Sequence, residues 1–129
     1  MADLLVVDDE SELAELLAVL FEAVGHTVRV AYNGHEGLRL IAERQPDLVL
    51  LDVEMPLVTG PEMSCEMIIR DCGQELIPIV LLSGVTNLFQ VAARVGTPYF
   101  LRKPFAADAV SQLVESALAE RRPPLPAPA

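Results

Sequence analysis

The sequence predicts an α/β fold: a doubly wound five-stranded parallel sheet built from five strand–helix units, (βα)5. Two observations carry this expectation. Short, continuously apolar runs alternate with stretches of helical apolar spacing along the whole chain. Strands buried on both faces read as unbroken apolar runs, and alternation with helices implies parallel pairing with helices on both faces. Right-handed crossovers then make the sheet doubly wound.

The first run is Leu4-Leu5-Val6-Val7, ended by Asp8-Asp9-Glu10. Leu13, Leu16, Leu17, Leu20, Phe21 and Val24 follow at spacings of three and four, one face of a helix that Gly25 stops. Val28, Val30 and Tyr32 alternate with polar residues as a second strand. Asn33, with Glu36 three residues on, is a cap for a second helix whose inner face is Leu38, Ile41 and Ala42. Pro46-Asp47 breaks it, and Leu48 to Leu51 forms the third strand. Pro61 suits a helix's first turn and opens a third helix running to Gly73. Ile77 to Leu82 is the fourth strand, ended by Ser83-Gly84. Leu88, Val91, Ala92 and Val95 mark a short fourth helix ended by Gly96. Tyr99-Phe100-Leu101 is the fifth strand, ended by Lys103-Pro104, and Val110, Leu113, Val114, Ala117 and Leu118 line the last helix. The expected organisation is one domain over residues 1–120. Residues 121–129 then form a proline-rich tail or linker stub without core residues.

Bulk composition narrows the function. The 129 residues are 52% hydrophobic, which suits one domain with a real core. No apolar run approaches the roughly 20 residues that span a bilayer, and the N-terminus does not read as a signal peptide. A cytoplasmic protein without membrane association is expected. A net charge of −10 repels a phosphate backbone, so direct nucleic-acid binding is not expected. Cys65 and Cys72, seven residues apart on one helix, lie about 10 Å apart along its axis, beyond disulfide reach. His26 and His35 stand alone and read as surface or capping residues.

The chemistry gathers at the strand ends. In an open parallel sheet, ligands bind beyond the carboxyl ends of the strands. Those ends carry Asp8 and Asp9, Asp52, Ser83 and Lys103. Three carboxylates in one crevice repel one another, and a hard divalent cation such as Mg²⁺ relieves this. A cation, a lysine and a hydroxyl form a phosphoryl clamp, and an ionised aspartate is a nucleophile toward phosphorus. Asp52, at the centre, is the candidate.

Asp8-Asp9, Asp52-x-x-Met55-Pro56-x-x-x-Gly60, Ser83-Gly84 and Lys103-Pro104-Phe105 occur in that order. In this the chain resembles the receiver domain of bacterial two-component response regulators, over residues 3 to about 120. The resemblance implies a flavodoxin-like receiver fold. It implies that Asp52 accepts a phosphoryl group from a sensor histidine kinase or a phosphotransfer protein. Mg²⁺, with Mn²⁺ as an alternative, would be held by Asp9, Asp52 and the Glu54 backbone carbonyl, and by Asp8 mainly through water. Lys103 would pair with the phosphoryl oxygens, Ser83 and the Gly84 backbone N–H would hydrogen-bond to them, and the Lys103–Pro104 bond would be cis. Phe100 would be the switch aromatic, without the hydroxyl of the tyrosine often found there, and Tyr99 should face the other side of its strand. The face made by the fourth helix, fifth strand and fifth helix would act on an unidentified downstream protein or a second copy of the chain. Such a domain catalyses only its own phosphorylation and dephosphorylation.

The resemblance also places Glu54 and Val85 at the two positions that flank the path of hydrolytic water. Val85 cannot orient water, so slow self-dephosphorylation is expected. Two other functions compete. One is a phosphorylation-independent interaction module, against which the intact acids, serine and lysine argue. The other is an aspartate-nucleophile phosphatase of the haloacid dehalogenase type. There the motif lies on the first strand with a second aspartate two residues on; here Glu54 stands at that place and no cap insertion exists. Nothing after residue 120 resembles a helix-turn-helix, which suggests a stand-alone regulator or an excised receiver.

Overall fold

A computed structural model describes residues 1–53 and 59–125, with the side chains of 59–65 outside the description. The elements alternate: β1 (Asp3–Val7), α1 (Ser11–Ala23), β2 (Thr27–Ala31), α2 (Gly34–Glu43), β3 (Leu48–Asp52), α3 (Thr59–Gln74), β4 (Ile79–Ser83), α4 (Leu88–Val95), β5 (Phe100–Arg102) and α5 (Ala107–Glu120). All pairings are parallel, in the order β2-β1-β3-β4-β5. The chain winds outward from β1 to β2, then crosses back past β1 to β3 and continues the other way to β4 and β5. The crevice therefore opens at the carboxyl ends of β1 and β3.

Strand residues alternate between two cores, as a period of two requires. Leu5, Val7, Val49, Leu51, Ile79 and Leu81 pack with Ile41 of α2, Ile68 and Cys72 of α3, and Leu88, Ala92 and Val95 of α4. Leu4, Val6, Leu48, Leu50, Val80 and Leu82 pack with Ala14, Leu17 and Phe21 of α1 and Val110, Val114 and Ala117 of α5. Helices thus cover both faces, as the unbroken apolar runs predict. Among the described residues no helix is long and apolar enough to cross a membrane.

Several details differ from the sequence expectation. On α1 the buried stripe is Ala14, Leu17 and Phe21, while Leu16 and Val24 are each 64% exposed. The helix ends at Ala23, so Val24 falls beyond its last turn. On α2, Ala42 is exposed and Gly37 is buried instead. A Cβ on Gly37 would stand 3.1 Å from Val7 and 3.2 Å from Ile68, so the helix lies on the sheet through a glycine. The α2 cap forms as expected: Glu36 N–H donates to Asn33 Oδ1 at 2.8 Å. His26 is more enclosed than a surface histidine. Its Nδ1 accepts the Ala2 N–H at 3.0 Å and its Nε2 faces Glu115 at 3.3 Å.

The proline-rich segment does contribute to the packing. Pro124 is buried, and the Leu125 N–H donates to the Gly96 carbonyl at 3.1 Å. Gly96, at φ +80°, permits this approach: a Cβ there would lie 1.9 Å from the Leu125 oxygen.

Cys72 is a free, fully buried thiol, and burial first, then the Asp71 charge, pushes its pKa from 9.0 to about 12. A group whose pKa folding raises contributes stability below its unfolded value and loses it as pH rises through the folded value. The unfolding free energy is therefore expected to fall by about 1.4 kcal/mol between pH ~8 and pH ~10, because the unfolded chain ionises there first. Tyr99 and Lys103 also shift upward, but from 10.0 and 10.5, so the onset belongs to the thiol. Urea unfolding of Cys72→Ala across that range should show a flatter dependence; an unchanged slope would assign the effect elsewhere.

Candidate phosphoryl-handling site

Four strand ends build the site. β1 runs out at Val7, and Asp8 continues its line, its N–H bonded to the Ala31 carbonyl of β2 at 3.0 Å. Asp8 Oδ1 accepts the Glu10 N–H at 2.9 Å, which folds the exit back into α1. Asp52 is the last residue of β3, and Ser83 the last of β4. Asp8 and Asp52 are each 1% exposed and Ser83 is fully buried. Lys103 follows β5, its N–H bonded to the Ser83 carbonyl at 2.8 Å, and the Lys103–Pro104 peptide is cis.

The lysine side chain crosses the crevice back to β1. Its ammonium lies 2.8 Å from Glu10 Oε1, 3.0 Å from Asp8 Oδ2 and 3.4 Å from Asp52 Oδ2. Burial disfavours the charged lysine. The hydrogen bonds to Glu10 and Asp8, with the charges of Asp52 and Asp8, outweigh this and raise its pKa above the ordinary lysine range. The ammonium is therefore permanently charged at neutral pH.

Asp8, Glu10 and Asp52 each present a carboxylate oxygen within 4.8 Å of the others, a group that could hold a metal ion. Three carboxylates against one ammonium leave two negative charges in excess, which a divalent cation would balance. The all-oxygen donor set matches hard cations. The expected residue set meets this group only in part. Asp9 is exposed and lies outside it. The chain bends at Asp9, where the Glu10 N–H bonds back to Asp8 Oδ1, and this turn brings the Asp8 and Glu10 carboxylates to the Lys103 ammonium while Asp9 stays exposed. Glu54 falls outside the described residues.

On the other flank, Ser83 Oγ accepts the Val85 N–H at 3.2 Å, and Gly84 is half-buried beside it. Phe100 packs against the core on the α2–α3–α4 side, and Tyr99 sits in the opposite core, as alternation along β5 predicts. Phe100 meets Phe89 of α4 edge-on, with ring centroids 5.9 Å apart, and Phe89 is 70% exposed. Sequence reasoning passed over Glu10 and Phe89. Glu10 was visible only as a third acid after β1, and Phe89 only as an apolar residue off the inner stripe of its helix.

The sequence and the fold are matched by known proteins. The family model for the response regulator receiver domain matches residues 4–115. The chain belongs to that family. It is 35% identical over 104 residues to the DNA-binding response regulator MtrA of Mycobacterium tuberculosis, covering 79% of this chain and 44% of that protein. It is 33% identical over 120 residues to the nitrogen assimilation regulatory protein NtrX of Azorhizobium caulinodans, covering 90% of this chain and 26% of that one. The chain thus spans less than half the length of these relatives. Among solved structures, the receiver domain of NtrX from Brucella abortus superimposes with a TM-score of 0.78 at 31% identity, over 91% of this chain and 98% of that one. A receiver domain protein from Clostridium thermocellum gives 0.77 at 29% identity, over 94% and 97%.

Proposed function

We propose that the chain accepts a phosphoryl group on Asp52 from the phosphohistidine of a sensor kinase or phosphotransfer protein, and that this switches its α4–β5–α5 face. The observation that carries the proposal is the buried Asp52 carboxylate at the end of β3, with the permanently charged Lys103 ammonium 3.4 Å away. Phosphoryl transfer asks for in-line placement and neutralisation of the transferring oxygens. One Asp52 oxygen would bond to phosphorus as the phosphorus–nitrogen bond to the donor imidazole breaks. The electron pair leaves with the imidazole.

Mg²⁺ suits the site, where the buried Asp8 and Asp52 supply hard oxygen donors; the family pattern assigns Asp9, Asp52 and the Glu54 carbonyl as direct ligands, with Asp8 acting mainly through water. When bound, it would neutralise phosphoryl oxygens. Lys103 pairs with the same oxygens. Ser83 turns its hydroxyl to them, and the Gly84 N–H adds a donor. Movement of Ser83 frees space toward which Phe100 turns. Its edge contact to Phe89 carries that change to an exposed ring on α4. The partner at this face is a downstream protein, a second copy of this chain included.

The test is intact mass after incubation with Mg²⁺ and acetyl phosphate. A single phosphoryl adduct, absent with EDTA, is expected; no adduct from acetyl phosphate or from a phosphorylated kinase would leave a phosphorylation-independent interaction module. Val85 is half-buried and packs on the core, with no group to orient water. The adduct is therefore expected to persist for minutes or longer after donor removal, and loss within seconds would contradict this.

A further inference from the structure

We propose that Glu10 is a positioning residue that draws the Lys103 ammonium toward the exposed rim of the crevice, where its contact to Asp52 is its longest, until a phosphoryl group on Asp52 competes for it. The inference rests on the phosphoacceptor role of Asp52. The ammonium has three donors and three carboxylates to choose from. It sits nearest Glu10 at 2.8 Å, next to Asp8 at 3.0 Å, and farthest from Asp52 at 3.4 Å. The two near partners differ in kind. Asp8 is 1% exposed and locked by its own bond to the Glu10 N–H. The Glu10 side chain is 59% exposed, so its contact is the one that opens at small cost.

The Glu10 backbone does not share that freedom. Its N–H is held by Asp8 and its carbonyl accepts the Ala14 N–H at 3.0 Å, at the N-cap of α1. A fixed backbone with an exposed carboxylate limits where that carboxylate can meet the ammonium. The ammonium reaches it without leaving Asp8, so Lys103 pivots between Glu10 and the Asp52 side of the crevice. A phosphoryl group on Asp52 brings new anionic oxygens into competition with Glu10. The Glu10 contact therefore opposes the phosphorylated state and sets how readily it forms.

The experiment compares wild type, Glu10→Gln and Glu10→Asp at saturating Mg²⁺ with acetyl phosphate as donor, reading uptake rate and adduct lifetime. Asp keeps the charge but falls short of the ammonium by one carbon–carbon bond, so the two variants separate holding from repulsion. Both variants are expected to take up phosphoryl about five-fold faster, or to keep it about five-fold longer, than wild type. A change in Glu10→Gln alone, with Glu10→Asp like wild type, would make the effect one of charge and overturn the proposal. No change in either would do the same. An Mg²⁺ titration in which Glu10→Gln needs several-fold more Mg²⁺ than wild type for half-maximal uptake would make Glu10 a metal ligand, again overturning it. A wild type that takes no phosphoryl group would overturn the phosphoacceptor role itself, and the positioning role with it.

Discussion

Asp52→Asn is expected to abolish phosphoryl uptake and, at the same time, to raise the stability of the metal-free protein. The first effect follows from removing the attacking oxygen: an amide is no nucleophile toward phosphorus at neutral pH. The second follows from the charges. Asp52 lies within 4.8 Å of both Asp8 and Glu10 and 3.4 Å from the Lys103 ammonium. At an effective dielectric near 20, each repulsion costs at least about 3.5 kcal/mol and the attraction returns about 5 kcal/mol. Repulsion wins by about 2 kcal/mol, less after discounting the solvent-screened Glu10. A gain of about 1 kcal/mol, or about 3–5 °C in melting temperature, is the expected reading in EDTA. Mg²⁺ should then stabilise wild type more than the variant, since binding to the folded state alone adds stability by mass action. A variant that still acquires the adduct would move the nucleophile elsewhere. One that melts lower in EDTA would mean that the Lys103 contact outweighs the repulsion.

Lys103→Met is expected to have the opposite effect on stability and a comparably severe effect on chemistry. The ammonium is the cation shared by Asp8, Glu10 and Asp52, and two of those carboxylates are buried. Breaking a buried ion pair by removing one partner costs about 3–5 kcal/mol, because the remaining charges stay desolvated and uncompensated. The loss should be largest in EDTA and should shrink on adding Mg²⁺, which neutralises the same carboxylates. Urea unfolding with and without Mg²⁺ measures both. Equal destabilisation in the two buffers would mean that the cation and the lysine do not share these groups. Phosphoryl uptake should fall by about 10²-fold or more, the usual consequence of losing one oriented charge at a developing anion. Methionine is close in length to lysine and keeps the stem packed, so the change isolates the charge.

Most of the architecture was legible in the chain. Leu48 to Leu51 and Ile77 to Leu82 read as strands because a parallel strand covered on both faces has no polar side to display, and both runs are buried, the second pairing from Ile79 on. The strand-end chemistry was legible for a topological reason. In a parallel sheet every carboxyl end lies at the same edge, so Asp8, Asp52, Ser83 and Lys103 converge whatever the loop lengths. Helix faces were legible only to within one residue of the stripe edge. Periodicity assigns Leu16 and Ala14 equally well to the inner side of α1, and the helix packs through Ala14. Gly37 was invisible as a core residue because a hydropathy pattern counts side chains, and here the contact depends on having none. Pro124 looked like tail because its burial depends on meeting helices distant in sequence.

The sequence by itself determined the strand order of chemical groups, the double winding, and the family to which the chain belongs. It did so because short-range periodicity and the polarity of a parallel sheet are local rules that leave little choice. Only the tertiary structure decided which acids after β1 meet the lysine. Asp8, Asp9 and Glu10 are three consecutive acids with the same local credentials. What separates them is the turn from β1 into α1, which sends the first and third toward an ammonium 95 and 93 residues away and the second toward solvent.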